Sequence, residues 1–386
     1  MIYNASEKYI FDANKIVIGK YHIFRGEKLE SRKLQKVGRS TITVSLPNKW
    51  IKENGIKPGD LVFILPEKDG TLRIVPSQSM RQEEIEEEYV INADACDERG
   101  MLERIIVGGY ILGRNVIRII SSNRIEKEHI DEVRRIIRKL IGLGILEETP
   151  NSILLQCSLD PLRFKIDMLV RRLTLVVSTM LSEVMQALLE NDETLAKEAI
   201  EREDEADTIY YLATRLILYV QKRPDLAEQM GITDIIFIPA LRLILQSLEL
   251  IGDYSEDIAK KVLALKMYRS KISEDMIKRI YELGEAVQTV FQKAVDCIFT
   301  GDIRLANSVL EMKNSLKSEV ERLIYELPEI PYLRAIVSGL ANIANVGGIN
   351  ADIAINKALQ EHSRHIEGVV KIVKHVLMQP KISKRN

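Results

Sequence analysis

Residues 247–259 read Ser-Leu-Glu-Leu-Ile-Gly-Asp-Tyr-Ser-Glu-Asp-Ile-Ala. Glu249 and Asp253 stand four apart on an otherwise apolar helix, where like charges repel. A cation should face that pair. Glu203 and Asp207 repeat the Glu-x-x-x-Asp spacing on a second amphipathic stretch, so packing the two helices together would bring four carboxylates to one place. Four converging carboxylates suggest a metal site. An all-oxygen donor set suits hard cations such as Mg, Mn, Ca or ferric iron, and no neighbouring histidine argues for zinc or copper.

Outward from this stretch, helical periodicity runs from Pro161 to about residue 378, broken at Pro224, Pro239, Pro328 and Pro331. The two halves echo each other. Gly301-Asp302-Ile303-Arg304-Leu305-Ala306 follows the pattern of Asn191-Asp192-Glu193-Thr194-Leu195-Ala196, and Val346-Gly347-Gly348 with Asp352-Ile353-Ala354 follows Ile251-Gly252-Asp253 with Asp257-Ile258-Ala259. The spacing predicts a duplicated three-helix unit, about 161–268 and 271–380.

With 386 residues the chain exceeds one ordinary domain of about 150 residues, so two or three are expected. Hydrophobic residues at 46%, charged residues at 29% and aromatics at only 5% describe a soluble, mainly helical protein. The net charge of −1 conceals an asymmetry: residues 15–57 hold eleven Lys or Arg against three acids, a local +8 that leaves −9 for the rest. A basic N-terminal region suits a polyanion, and an acidic body suits cations or solvent. Cys96, Cys157 and Cys297 are odd in number and widely spaced, which suggests neither a disulfide framework nor a zinc site. The N-terminus lacks the basic start and apolar run of a signal peptide, and no stretch approaches 18 consecutive apolar residues. A cytoplasmic protein without membrane insertion is expected.

Residues 1–30 read as an irregular N-terminal extension. From 31 to 78 a compact β unit is predicted: a half-buried strand over 41–46 ended by Pro47, a short helix over 48–54, and a hairpin of 61–65 with 72–75 turning at Asp69-Gly70. A unit this small is expected to dimerise, since a lone core below about 70 residues rarely suffices. Five Glu in positions 83–88 mark a boundary. Residues 84–160 then read β-α-β-α-β-β, a small α/β domain with strands at 89–93, 116–121, 144–146 and 153–157 and helices at 100–113 and 127–143. Gly108-Gly109 falls inside the first helix and reads as a close-packing site rather than a nucleotide loop. No Ser, Cys or His arrangement suggests nucleophilic catalysis, so an enzyme is not expected.

The basic strand with its central Gly38-Arg39, Leu46-Pro47, and Gly55-Ile56 through Gly59-Asp60 and Val62 resembles the AbrB (SpoVT-like) family of swapped-hairpin dimeric DNA-binding domains. The resemblance implies a β-barrel shared between two chains, with Arg32, Lys33, Lys36, Arg39, Asn48 and Lys49 on its DNA-facing surface.

The helical half, through Leu248-Glu249-Leu250-Ile251-Gly252-Asp253 and Asp257-Ile258-Ala259, resembles the PhoU family of phosphate-signalling proteins over roughly 162–378. That resemblance implies a metal, commonly iron, bound by Glu203, Asp207, Glu249 and Asp253, with Asp257 a candidate further ligand where the family more often has Asn. The second repeat departs from the pattern: Lys313 and Lys317 stand where Glu203 and Asp207 would recur, and Ala344 and Gly348 where Glu249 and Asp253 would. One metal site is therefore expected, in the first bundle. Together the resemblances imply a multidomain, mainly α protein: a dimeric, phosphate-responsive transcriptional regulator. The alternative is an interaction protein that controls a phosphate transporter or sensor kinase, its β domain serving only for dimerisation.

Overall fold

The computed structural model describes residues 10–12, 15–18, 21–24, 31–66, 70–77, 87–361, 365 and 369. The chain divides into two compact units, Met1–Ile85 and Glu86–Asn386, so the division falls inside the glutamate run. Asp69, placed in a hairpin turn by the sequence, lies outside the described residues, as does nearly all of the chain after 361.

In the first unit, strands β1 (Ile10–Asp12), β2 (Lys15–Ile18) and β3 (Tyr21–Phe24) form an antiparallel sheet. This corrects the irregular extension expected there. Short runs such as Lys15-Ile16-Val17-Ile18 carry the β-branched content of strands, but each is too brief to show a clear period. Strands β4 (Gln35–Val37) and β5 (Thr41–Thr43) pair around Gly38, whose φ of +67° accommodates the tight turn. β5 is shorter than the predicted 41–46. Helix α1 (Asn48–Glu53) follows Pro47, and β6 (Val62–Pro66) pairs antiparallel with β7 (Leu72–Pro76). Within one chain these are two separate hairpins, not a closed barrel. They leave Ile42 65% and Ile64 58% exposed, with Leu34, Val37, Leu61 and Leu72 exposed as well.

The second unit begins with a four-stranded sheet in the order β10-β11-β9-β8, formed by β8 (Glu88–Asn92), β9 (Val116–Ile120), β10 (Leu143–Thr149) and β11 (Ser152–Cys157). β8 and β9 run parallel, which requires the crossover supplied by helix α2 (Met101–Ile111); helix α3 (Lys127–Ile136) follows β9. A Cβ on Gly109 would lie 3.3 Å from Ile117 Cδ1 and 3.6 Å from Tyr89, so this glycine lets α2 approach the sheet, while Gly108 has no such neighbour. Ile91, Ile106, Ile117, Ile119, Val133 and Leu155 fill the core between helices and sheet.

Among the described residues six long helices follow: α4 (Ile166–Glu190), α5 (Glu193–Lys222), α6 (Ile238–Leu265), α7 (Glu274–Thr300), α8 (Ile303–Glu326) and α9 (Leu333–Gln360). They form two successive three-helix bundles around a continuous core. The repeated hexapeptides are the turns. Asn191 (φ 56°) and Gly301 (φ 66°) end α4 and α7 in the left-handed conformation, and Asp192 and Asp302 then cap α5 and α8 by accepting from the amides of Thr194 and Leu195 and of Arg304 and Leu305. By length and composition, Ile166–Glu190 and Ile235–Lys271 are apolar enough to cross a membrane. In the bundle their apolar faces, including Leu173, Val177, Ile244 and Leu248, are buried core.

Candidate functional site

Helix α5 carries Glu203, Asp204 and Asp207 on adjoining turns, and the cation they meet comes from the α/β portion. Lys139, in the turn after α3, places its ammonium 3.2 Å from Glu203 Oε2, 2.6 Å from Asp204 Oδ1 and 2.9 Å from Asp207 Oδ2. Its side chain is only 20% exposed, so water screens these contacts little. Burial alone would weaken the ammonium as an acid's partner, but hydrogen bonds to Asp204 and Asp207 and the charges of Asp207 and Glu203 overcome it and raise the lysine pKa.

The opposite wall is α6, where Glu249 and Asp253 share one face. Gln246 Nε2 donates to Glu249 Oε2 at 2.6 Å, Tyr210 Oη donates to Gln246 Oε1 at 2.6 Å, and Arg242 Nη1 donates to Tyr210 Oη at 3.0 Å and to Thr214 Oγ1 at 2.7 Å. One ammonium among so many carboxylates leaves excess negative charge. Burial, then the neighbouring Asp207, pushes Glu203 up to about 7; burial, then Asp253 and Asp207, pushes Glu249 up to about 7; Asp253 is raised by burial, Asp207 and Glu256. The lysine is thus held charged while the acid beside it is held toward its neutral form, as expected when cations are outnumbered.

Asp207 thus feels Glu203 on its own helix and both Glu249 and Asp253 on α6, and Asp257 does not join them. Its side chain is 58% exposed and paired with Lys261. At about 100° per residue, two steps of four rotate Asp257 by roughly 80° from Glu249 around the helix, which carries it off the shared face. The set does not fit a metal ion as it stands, because the Lys139 ammonium already sits among the α5 acids Glu203, Asp204 and Asp207. Among the described residues no three His, Cys, Asp or Glu side chains are arranged to hold a metal.

Lys139 is one of several ties between α5 and the α/β portion. Arg215, buried on α5, donates through Nη1 to the Tyr110 carbonyl and through Nη2 to Asn115 Oδ1 at 2.5 Å, and its guanidinium lies over the Tyr110 ring. Lys222 Nζ donates to the Leu112 carbonyl at 3.0 Å. Both meet the C-terminal end of α2, where the helix dipole favours cations. The sequence reading missed Lys139, Arg215, Gln246 and Arg242. The repulsion between Glu249 and Asp253 called for a cation, but no spacing pointed to one from another part of the chain.

In the second repeat two of the aligned positions, Lys313 and Gly348, meet. Lys313 Cδ lies 2.6 Å from where a Cβ on Gly348 would stand, so the glycine makes room for the lysine stem. Ala344 is buried beside it on α9, and Lys317 is exposed.

In the first unit, Arg32 and Lys33 precede β4, Lys36 lies on β4 opposite Ile42, and Arg39 sits in the turn after Gly38. Asn48 opens α1, and Lys49 pairs with Glu53 at 3.6 Å. All six are exposed.

Residues 170–262 match the family model of the PhoU domain, and residues 35–82 match that of the MazE bacterial antitoxin, described as antidote-toxin recognition. A phosphate-specific transport system accessory protein PhoU homolog of Clostridium acetobutylicum is 27% identical over 150 residues, 38% of this chain and 65% of that relative, so the match spans just under two thirds of the relative's length. The crystal structure of PhoU from Pseudomonas aeruginosa superposes with a TM-score of 0.43 at 18% identity, over 51% of this chain and 96% of that one. The chain thus combines a PhoU-like helical body with a MazE/AbrB-like N-terminal region. The PhoU match contains all four cluster carboxylates and stops short of the second repeat.

Proposed function

We propose that this chain, a PhoU-like helical body joined to a MazE/AbrB-like N-terminal unit, is a cytoplasmic, dimeric, phosphate-responsive transcriptional regulator. The observation that carries the reading is the pairing, in one small unit, of an exposed basic set with hairpins whose apolar residues are also exposed. Exposed Ile42 and Ile64 favour a second copy that buries them, and two copies would present two sets of Arg32, Lys33, Lys36 and Arg39 to one duplex. Lysine and arginine in such density gain affinity for phosphates by counterion release, and the affinity falls steeply with salt.

The helical body would sense or relay phosphate status, directly or through a partner. An effector shifts DNA affinity only if it binds two states of the protein unequally. The test is capture of genomic DNA fragments by the purified full chain at near-physiological salt, with and without phosphate, beside the Lys36→Ala, Arg39→Ala double variant. Phosphate-responsive enrichment of particular upstream fragments, lost in the variant, is expected. The variant should also flatten the log affinity versus log salt slope by about one for each phosphate contact removed. Equal enrichment by both proteins would reject DNA recognition by this set.

A second reading has its own support in the PhoU match and in the curated relative's name: an accessory protein that controls phosphate transport or a sensor kinase, with the N-terminal unit serving for dimerisation. Failure of the DNA test combined with co-purification of a phosphate transport or signalling protein would favour it.

A further inference from the structure

We propose that Lys139 is the resident cation of the carboxylate cluster, closing it to metal ions and making it the socket by which the helical body holds the α/β portion. Two separate features lead there. The ammonium contacts carboxylates of Glu203, Asp204 and Asp207 at 2.6–3.2 Å, so it takes the position between the α5 acids that a hard cation would need. Lys139 is also not isolated, since Arg215 and Lys222 bind the end of α2 from the same helix. Contacts of both signs thus follow one another along α5: its acids hold a lysine of the α/β portion, and further along its bases hold α/β carbonyl oxygens.

The second repeat points the same way. There Lys313 on α8, at the position aligned with Glu203, packs its stem over Gly348 on α9, so a lysine stands where an acid would and the cluster of acids is gone. In the first repeat the acids remain and the lysine arrives from outside. A surface ion pair would contribute little, but the contacts to Glu203 and Asp207 are largely shielded, and removing the cation leaves those two carboxylates without it.

The test uses the full chain, the Lys139→Met variant, Lys139→Gln as a second neutral replacement and Lys139→Arg as a charge-preserving control. Manganese(II) binding is followed by calorimetry and electron paramagnetic resonance, and amide exchange of α3 by mass spectrometry. The neutral variants should bind manganese about tenfold or more tightly than the parent, the scale of one charged contact released, and α3 should exchange faster. Lys139→Arg should behave like the parent in both. Parent binding as tight as that of the neutral variants, or no binding by any of them, would overturn the closure. Unchanged α3 exchange would overturn the docking. DNA capture does not involve Lys139, so failure here leaves the regulatory reading standing, and the converse holds.

Discussion

Glu203 and Glu249 are the residues at which environment most changes chemistry. Both are pushed up to about 7 from an ordinary 4.5, chiefly by burial and by facing acids. Asp207 and Lys139 act on Glu203, and Asp253, Asp207, Arg242 and Gln246 act on Glu249. Because the folded state holds these protons where the unfolded chain would release them, their contribution to stability is full below about 4.5. It is lost as the pH rises through about 7. The unfolding temperature should therefore fall as the pH rises from about 4.5 to about 7, and calorimetry on the Glu203→Gln, Glu249→Gln double variant should show a flatter profile. A parent profile flat over that interval would refute the assignment. Single residues were partly legible beforehand: two like charges four apart announced a missing cation. Its identity was not, since Lys139 lies 64 residues from Glu203 in the chain and no local pattern links them.

At the level of elements, the repeated Asn-Asp and Gly-Asp turns account for the helix boundaries. A left-handed residue ends one helix and an aspartate two amides deep begins the next. Asp192→Ala and Asp302→Ala should each cost about 1 kcal/mol, the usual worth of such a cap, measurable as a lower urea midpoint with little change in slope. Losses that differ greatly between the two would show that the duplicated turns are not equivalent. Helices were read well because apolar residues recur along long stretches and prolines punctuate them. Residues 10–24 were missed because their strands are three or four residues long, too short for alternation to register.

For the whole molecule, the proposed dimer rests on the exposed apolar residues of the first unit. Ile42→Asp with Ile64→Asp should convert a dimer to a monomer in sedimentation velocity while leaving the helical signal of the second unit intact. A parent already monomeric at micromolar concentration would refute the shared barrel. The same double variant should weaken DNA capture, because one basic set offers fewer phosphate contacts than two.

The sequence alone determined the mainly helical body, the three-helix duplication, the α/β order of elements and the two Glu-x-x-x-Asp pairs, because periodicity, caps and prolines act within a few turns of the chain. Tertiary structure decided what fills the space between those carboxylates. Lys139 reaches Glu203 and Asp207 only because the α/β portion docks on α5. Charge neutralisation over such sequence separations depends on which surfaces pack, a property of the folded molecule that no local pattern encodes.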